Sequence, residues 1–171
     1  MKIVLIAVLG LFSILSVKAQ TSAALPVAPY LKNPGFPPIR LLEIDSTHYV
    51  TKDEIKKNHK ILLIFFNPDC EHCKHQTQDI LADFGRFKDI EIVMATFQPF
   101  DEMKTFYNYY RIGDHLNIFM GRDEKYVLPP FYRMKSLPFL ALYDKKGQYI
   151  THFEGNQKVD TILNAFQAKE Q

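Results

Sequence analysis

The sequence predicts an α/β fold in three layers, a central mixed sheet with helices on both faces. Three observations carry this. The apolar runs Ile61 to Phe66 and Ile90 to Ala95 are continuous, as strands covered on both faces in the middle of a sheet must be. Segments with apolar residues at helical spacing alternate with them, the pattern of crossover connections. Near the end, Pro138 to Tyr143 and Gln148 to Phe153 flank Asp144-Lys145-Lys146-Gly147, the composition of a hairpin turn.

Taken in order, the elements read β-α-β-α-β-α-β-β-α. Ile39 to Ile44 is a first strand, and Thr51-Lys52-Asp53-Glu54 is a capping box expected to open a short helix. Ile61 to Phe66 follows as a buried strand. Asn67, Pro68 and Asp69 are turn and cap residues, so a helix is expected from Cys70, carried on by Thr77, Ile80, Leu81, Phe84 and Phe87. After the strand Ile90 to Ala95, the residues Met103, Phe106, Tyr107 and Tyr110 mark a third helix ending near Gly113, their stripe read as core. The hairpin comes next, and Val159, Ile162, Leu163 and Phe166 form a closing helix.

Three segments are expected. Lys2 precedes an apolar stretch from Ile3 to Val17, and Val17-Lys18-Ala19 has the character of a cleavage site, so residues 1–19 read as a secretory signal peptide and Gln20 as the first mature residue. A membrane anchor is the alternative, disfavoured because about 20 apolar residues are needed to span comfortably. Residues 20–38 hold Pro26, Pro29, Pro34, Pro37 and Pro38 and read as an extended tether. Residues 39–171 form one domain, expected to act as a monomer. Without Lys2 and Lys18, the 21 basic residues become 19 against 19 acidic ones, a balance that gives no reason to expect nucleic acid as a partner. An exported chain works in an oxidising compartment, most simply a periplasm.

The chemistry sits on the only two cysteines, in Cys70-Glu71-His72-Cys73. Thiols at i and i+3 share one helical face, with Cα atoms about 5 to 6 Å apart, within reach of one disulfide. The helix N-terminus offers unpaired N–H groups to a sulfur anion. Strand, turn, C-x-x-C and helix in that order make a reversible dithiol/disulfide switch. A structural staple is the other reading of two exported cysteines, but so short a loop removes little entropy from the unfolded chain.

Phe65-Phe66-Asn67-Pro68-Asp69-Cys70-Glu71-His72-Cys73, followed by Leu137-Pro138-Phe139 at a strand start and then a hairpin and helix, resembles the thioredoxin superfamily, and most of all its exported TlpA/ResA-like branch of thiol-disulfide oxidoreductases. The resemblance covers about residues 39–168. It implies a thioredoxin-like fold, Cys70 as exposed nucleophile, Cys73 as resolving thiol, and a cis Pro138 that leaves backbone groups of Leu137 free to pair with an extended substrate. It further implies protein thiols or disulfides as partners, apocytochrome among them, a separate redox partner, and no cofactor.

This sequence departs from the family pattern at several positions. Asp69 stands where thioredoxins place Trp, Ile64 where they carry a buried acid, and Gln76 where ResA-like proteins have Glu. An imidazolium at His72 stabilises a thiolate at Cys70 and pulls toward an oxidant, whereas Asp69 and Glu71 pull toward a reductant. His72 and His75 flank Cys73, so the four side chains could also make a soft-metal site for Cu(I) or Zn, and a metal chaperone is the alternative function. A peroxiredoxin is disfavoured because both cysteines lie in one helix and no Thr-x-x-Cys motif precedes Cys70. Tyr126, Pro129, Pro130, Phe131 and Tyr132 read as local packing ahead of the rim of a partner groove.

Overall fold

A computed structural model describes residues 27–168. The signal-peptide reading of residues 1–19, the start at Gln20 and the first part of the tether lie outside them. Seven strands, β1 (Arg40–Leu42), β2 (Tyr49–Thr51), β3 (Lys60–Phe65), β4 (Ile90–Thr96), β5 (Ile118–Arg122), β6 (Phe139–Tyr143) and β7 (Tyr149–Glu154), form one sheet in the order β2-β1-β5-β4-β3-β6-β7. β3 runs parallel to β4 and β4 to β5, while β6 lies antiparallel to both β3 and β7.

Alternation along β3 divides the core. Leu62 and Ile64, with Phe66 just beyond, face one side, and Ile61, Leu63 and Phe65 face the other. On the first side pack α2 (Glu71–Ala82), α3 (Phe100–Tyr109) and α5 (Val159–Gln167), through Cys73, Ile80, Met103, Phe106, Ile162 and Phe166. On the second lie α1 (Pro29–Lys32) and α4 (Leu128–Tyr132), through Tyr30, Leu128 and Tyr132. Burial of Phe65, Phe66, Phe139 and Phe166, all under 2% exposed side chains, contributes roughly 1.5 to 3 kcal/mol each.

The structure corrects several readings. Half of the capping box forms, for the Glu54 carboxylate accepts from the Thr51 N–H and, at 2.8 Å, from its hydroxyl, while the Glu54 N–H donates to the Thr51 carbonyl and not to the hydroxyl. No helix follows it, because Thr51 is held in β2 opposite Arg40 and the chain turns back through Asn58 (φ 63°) to enter β3. The first strand is correspondingly short. β2, β5 and α4 are additional elements, and α4 takes up most of the aromatic-proline segment, burying Pro129 and Tyr132. β5 carries Gly121 because a Cβ there would lie 2.7 Å from Leu41 Cβ and 2.9 Å from the Leu42 carbonyl oxygen. α3 ends at Tyr109, and Gly113 falls in a separate 3-10 turn, Ile112–Asp114.

A further correction concerns the tether. Where residues 20–38 are described they are packed, not extended: Tyr30 lies 5.0 Å from the Tyr149 ring and 5.7 Å from Tyr132, and Phe36 lies 5.1 Å from Tyr143. The Phe36 N–H donates to Gly147 O at 2.8 Å, and Pro34 O accepts from Tyr149 N–H at 2.7 Å. Proline restricts φ but leaves neighbouring aromatic rings free to be buried.

Candidate functional site

The cysteine turn is built at the C-terminal end of β3. Asn67 closes it twice, its Oδ1 accepting from the Asp69 N–H at 2.8 Å and its carbonyl from the Cys70 N–H at 3.1 Å. Pro68 is buried, Asp69 is exposed, and Cys70 becomes the N-cap of α2 with extended dihedrals (φ −78°, ψ 120°). The helix therefore opens at Glu71, one residue later than the sequence suggests. No side chain caps its first N–H groups, which leaves them to polarise what lies at Cys70.

The two thiols differ sharply. Cys70 is half-buried, while Cys73 is 1% exposed. Burial pushes the Cys73 thiol up to about 12, opposed by the nearby Asn67 backbone N–H and reinforced by the neighbouring Cys70. A buried neutral thiol thus faces a partly exposed one at the helix start. Asn67 is a contributor that the sequence reading missed, since no pattern announces a backbone donor.

The charged neighbours separate as well. Glu71 pairs with Lys74 at 2.8 Å, a contact that holds its carboxyl below the usual range and takes up its charge. His72 and His75 are both exposed. Among the described residues, three possible ligand atoms within 4.8 Å of one another occur at Glu43, Asp45 and His48, and not at Cys70, His72, Cys73 and His75. Gln76 is buried and spends its amide on the backbone of Gln157.

Leu137 and Pro138 lie beside this turn. β6 pairs with β3 through Phe139 opposite Phe65, so the residue before Phe139 adjoins the residue after Phe65. The Leu137–Pro138 peptide is cis. Pro138 O accepts from the Gly155 N–H at 2.8 Å, whereas among the described residues no partner takes the Leu137 N–H or C=O. Of the residues singled out in the sequence, Cys70 and Cys73 come together at the start of α2, Leu137 packs against the same core cluster as Cys70, and Asp69, Glu71 and His72 ring the cysteine turn in solvent.

No family model and no curated protein matches the chain. Solved structures do. A secreted disulfide oxidoreductase of Mycobacterium tuberculosis, homologous to E. coli DsbE, shares 15% identity over 76% of this chain and 95% of its own, with a TM-score of 0.62. The exposed lipoprotein thioredoxin Etrx1 of Streptococcus pneumoniae shares 20% over 77% and 99%, at 0.61. A 2-Cys peroxiredoxin of Plasmodium vivax shares 16% over 80% and 94%, at 0.63. The chain therefore has the thioredoxin-like α/β fold, with its cysteine pair at the start of the helix that follows the central strand β3.

Proposed function

We propose that the protein is an exported thiol-disulfide oxidoreductase that exchanges disulfides with protein substrates through Cys70 and Cys73. The observation that carries this reading is the pairing of a half-exposed N-cap thiol at Cys70 with a buried thiol at Cys73, in the first turn of the same helix. In the reducing direction the Cys70 thiolate attacks one sulfur of a substrate disulfide. A Cys70–substrate bond forms, the substrate S–S bond breaks, and the second substrate sulfur leaves as a thiolate that takes a proton. Cys73 then loses its proton and attacks the Cys70 sulfur, so the Cys70–Cys73 bond forms and the first substrate sulfur departs. Two electrons pass to the substrate, and a dithiol partner must restore the pair. The free N–H and C=O of Leu137 supply ladder bonds for an extended substrate strand beside Cys70.

Export rests on residues 1–19 and on similar proteins described as secreted and exposed. Among the described residues no helix is long and apolar enough to cross a membrane. Mass spectrometry of secreted material should find Gln20 first, and an intact or lipid-bearing N-terminus would count against cleavage there.

The test of mechanism is a pair of serine variants. Cys70→Ser should abolish disulfide reduction, while Cys73→Ser should accumulate mixed disulfides, because attack survives and resolution does not. Equal trapping by both would contradict the roles, and reductase activity in the double variant would end the proposal.

A further inference from the structure

A cleft of about 590 Å³ opens between α2 and α3 and reaches the cysteine turn at Pro68 and Asp69. Its apolar lining comes from Phe106, Tyr109 and Tyr110, with ring centroids 4.5 Å apart for Phe106 and Tyr110 and 4.9 Å for Tyr109 and Tyr110. Tyr109 is 75% exposed, an unusual use of a large ring within a helix whose other face is core. Asp69, Asp101 and Glu102 also line the cleft. Among the described residues none of these three is in an ion pair, whereas the charge of Lys74 is taken by Glu71. His75 is the remaining basic group, and the balance is acidic.

We propose that this cleft receives the polypeptide segment flanking the substrate's reactive disulfide and selects segments that carry Lys or Arg next to an apolar residue. The proposal rests on the thiol-disulfide reading and names its substrate class. A cationic side chain lays its aliphatic stem along the aromatic rings and brings its charge to unpaired carboxylates. An acidic segment meets like charge instead. Pro68 and Asp69 immediately precede Cys70, so the occupant of the cleft is within a few residues of the attacked sulfur, at about 3.3 Å per extended residue.

Two disulfide-linked peptides, one flanked by Lys-Phe and one by Glu-Phe, test this against the full-length protein, with hydroxyethyl disulfide as an uncharged reference for each variant. The wild type should reduce the Lys-Phe peptide at least about fivefold faster at low ionic strength, and added salt should shrink the ratio. Asp101→Asn with Glu102→Gln should bring the ratio near one, and Tyr109→Ala, at an exposed position, should weaken capture of both peptides. Affinities of the same peptides with Ser for Cys, measured on the Cys70→Ser/Cys73→Ser protein, should follow the same order without any redox step. Equal affinities, or a preference that survives in the Asp101→Asn/Glu102→Gln protein, would overturn the cleft as the selecting site. Failure of the wild type to reduce hydroxyethyl disulfide would instead strike at the redox reading, with the serine-peptide affinities still deciding the cleft.

Discussion

Gln76 binds both backbone groups of Gln157: its Nε2 donates to Gln157 O at 3.1 Å, and its Oε1 accepts from the Gln157 N–H at 2.6 Å. The amide imitates one rung of a ladder and joins α2, one turn past Cys73, to the loop that precedes α5. Helix and loop come from segments 81 residues apart in sequence. A carboxylate could accept from the N–H but could not donate to the carbonyl, so the residue that replaces the glutamate of ResA-like proteins is fitted here to a structural role.

Gln76→Leu should therefore destabilise the fold by about 1 to 3 kcal/mol, the cost of leaving two half-buried backbone groups without partners. Urea unfolding of the reduced protein measures it. A loss near zero would mean that water replaces the amide at both groups.

High pH should weaken the fold in two stages. Burial holds the Cys73 thiol up at about 12, against about 8.5 to 9 in an unfolded chain. Its contribution is complete below about pH 8, where both states keep the proton. It is lost as pH rises from 9 toward 12, because the unfolded thiol ionises first. Tyr132 and Tyr143, hydrogen-bonded to each other at 2.5 Å, are both raised by burial, Tyr143 to about 12, and add a loss of the same sign above about pH 10. Unfolding free energies of the wild type and Cys73→Ala at pH 8 and 10 separate the stages. The wild type should lose more between them, and parallel losses would refute the assignment to Cys73.

The core of this fold was legible because its signals are local. β3 and β4 are unbroken apolar runs, α5 has Val159, Ile162 and Phe166 on one side, and Asp144 closes the hairpin turn by accepting from the N–H of Lys146 and Gln148 while Gly147 takes φ +70°. The resemblance to the thioredoxin superfamily, and no local signal, is what placed Leu137-Pro138 beside Cys70 and Cys73 at one end of β3. β5 was not legible, since Ile-Phe-Met-Gly-Arg contains a glycine whose need is set by Leu41 and Leu42, far away in sequence. Nor was the packing of Tyr30 and Phe36, where proline content outweighed two aromatic rings whose partners come from β6, β7 and α4. Tyr109 was hidden because a stripe pattern records what faces the core, and it faces out.

His72→Gln should lower the reduction potential of the Cys70–Cys73 couple by some tens of millivolts. With Glu71 engaged by Lys74, Asp69 is the acid left to oppose the histidine in the cysteine turn. Where the imidazole is protonated it favours a neighbouring thiolate and hence the dithiol state, and glutamine cannot replace it in this. A tenfold change in the equilibrium corresponds to about 30 mV for two electrons. Equilibration with glutathione reads the shift, and an unchanged potential would remove His72 from the redox tuning.

The slow step of turnover should be the second one, and it should accelerate with pH. A thiol held up at about 12 is a thiolate in roughly one molecule in 10⁵ at pH 7. Once Cys70 is bound to substrate, its thiol no longer opposes ionisation of Cys73, but burial, the larger cause, persists. Ile64 and Gln76 stand where the thioredoxins and ResA-like proteins that this sequence resembles carry a carboxylate, and neither side chain can accept the proton as a base. Because only the thiolate attacks, the resolution rate should climb close to tenfold per pH unit between 7 and 10. A mixed disulfide of Cys70 with thionitrobenzoate makes this visible, since attack by Cys73 releases the coloured thiol in a single turnover. Substrate adducts of the wild-type protein should correspondingly persist at pH 6 and vanish at pH 9. A rate flat across that range would show that some group in the folded protein does deprotonate Cys73, and would overturn the view that burial alone governs its reactivity.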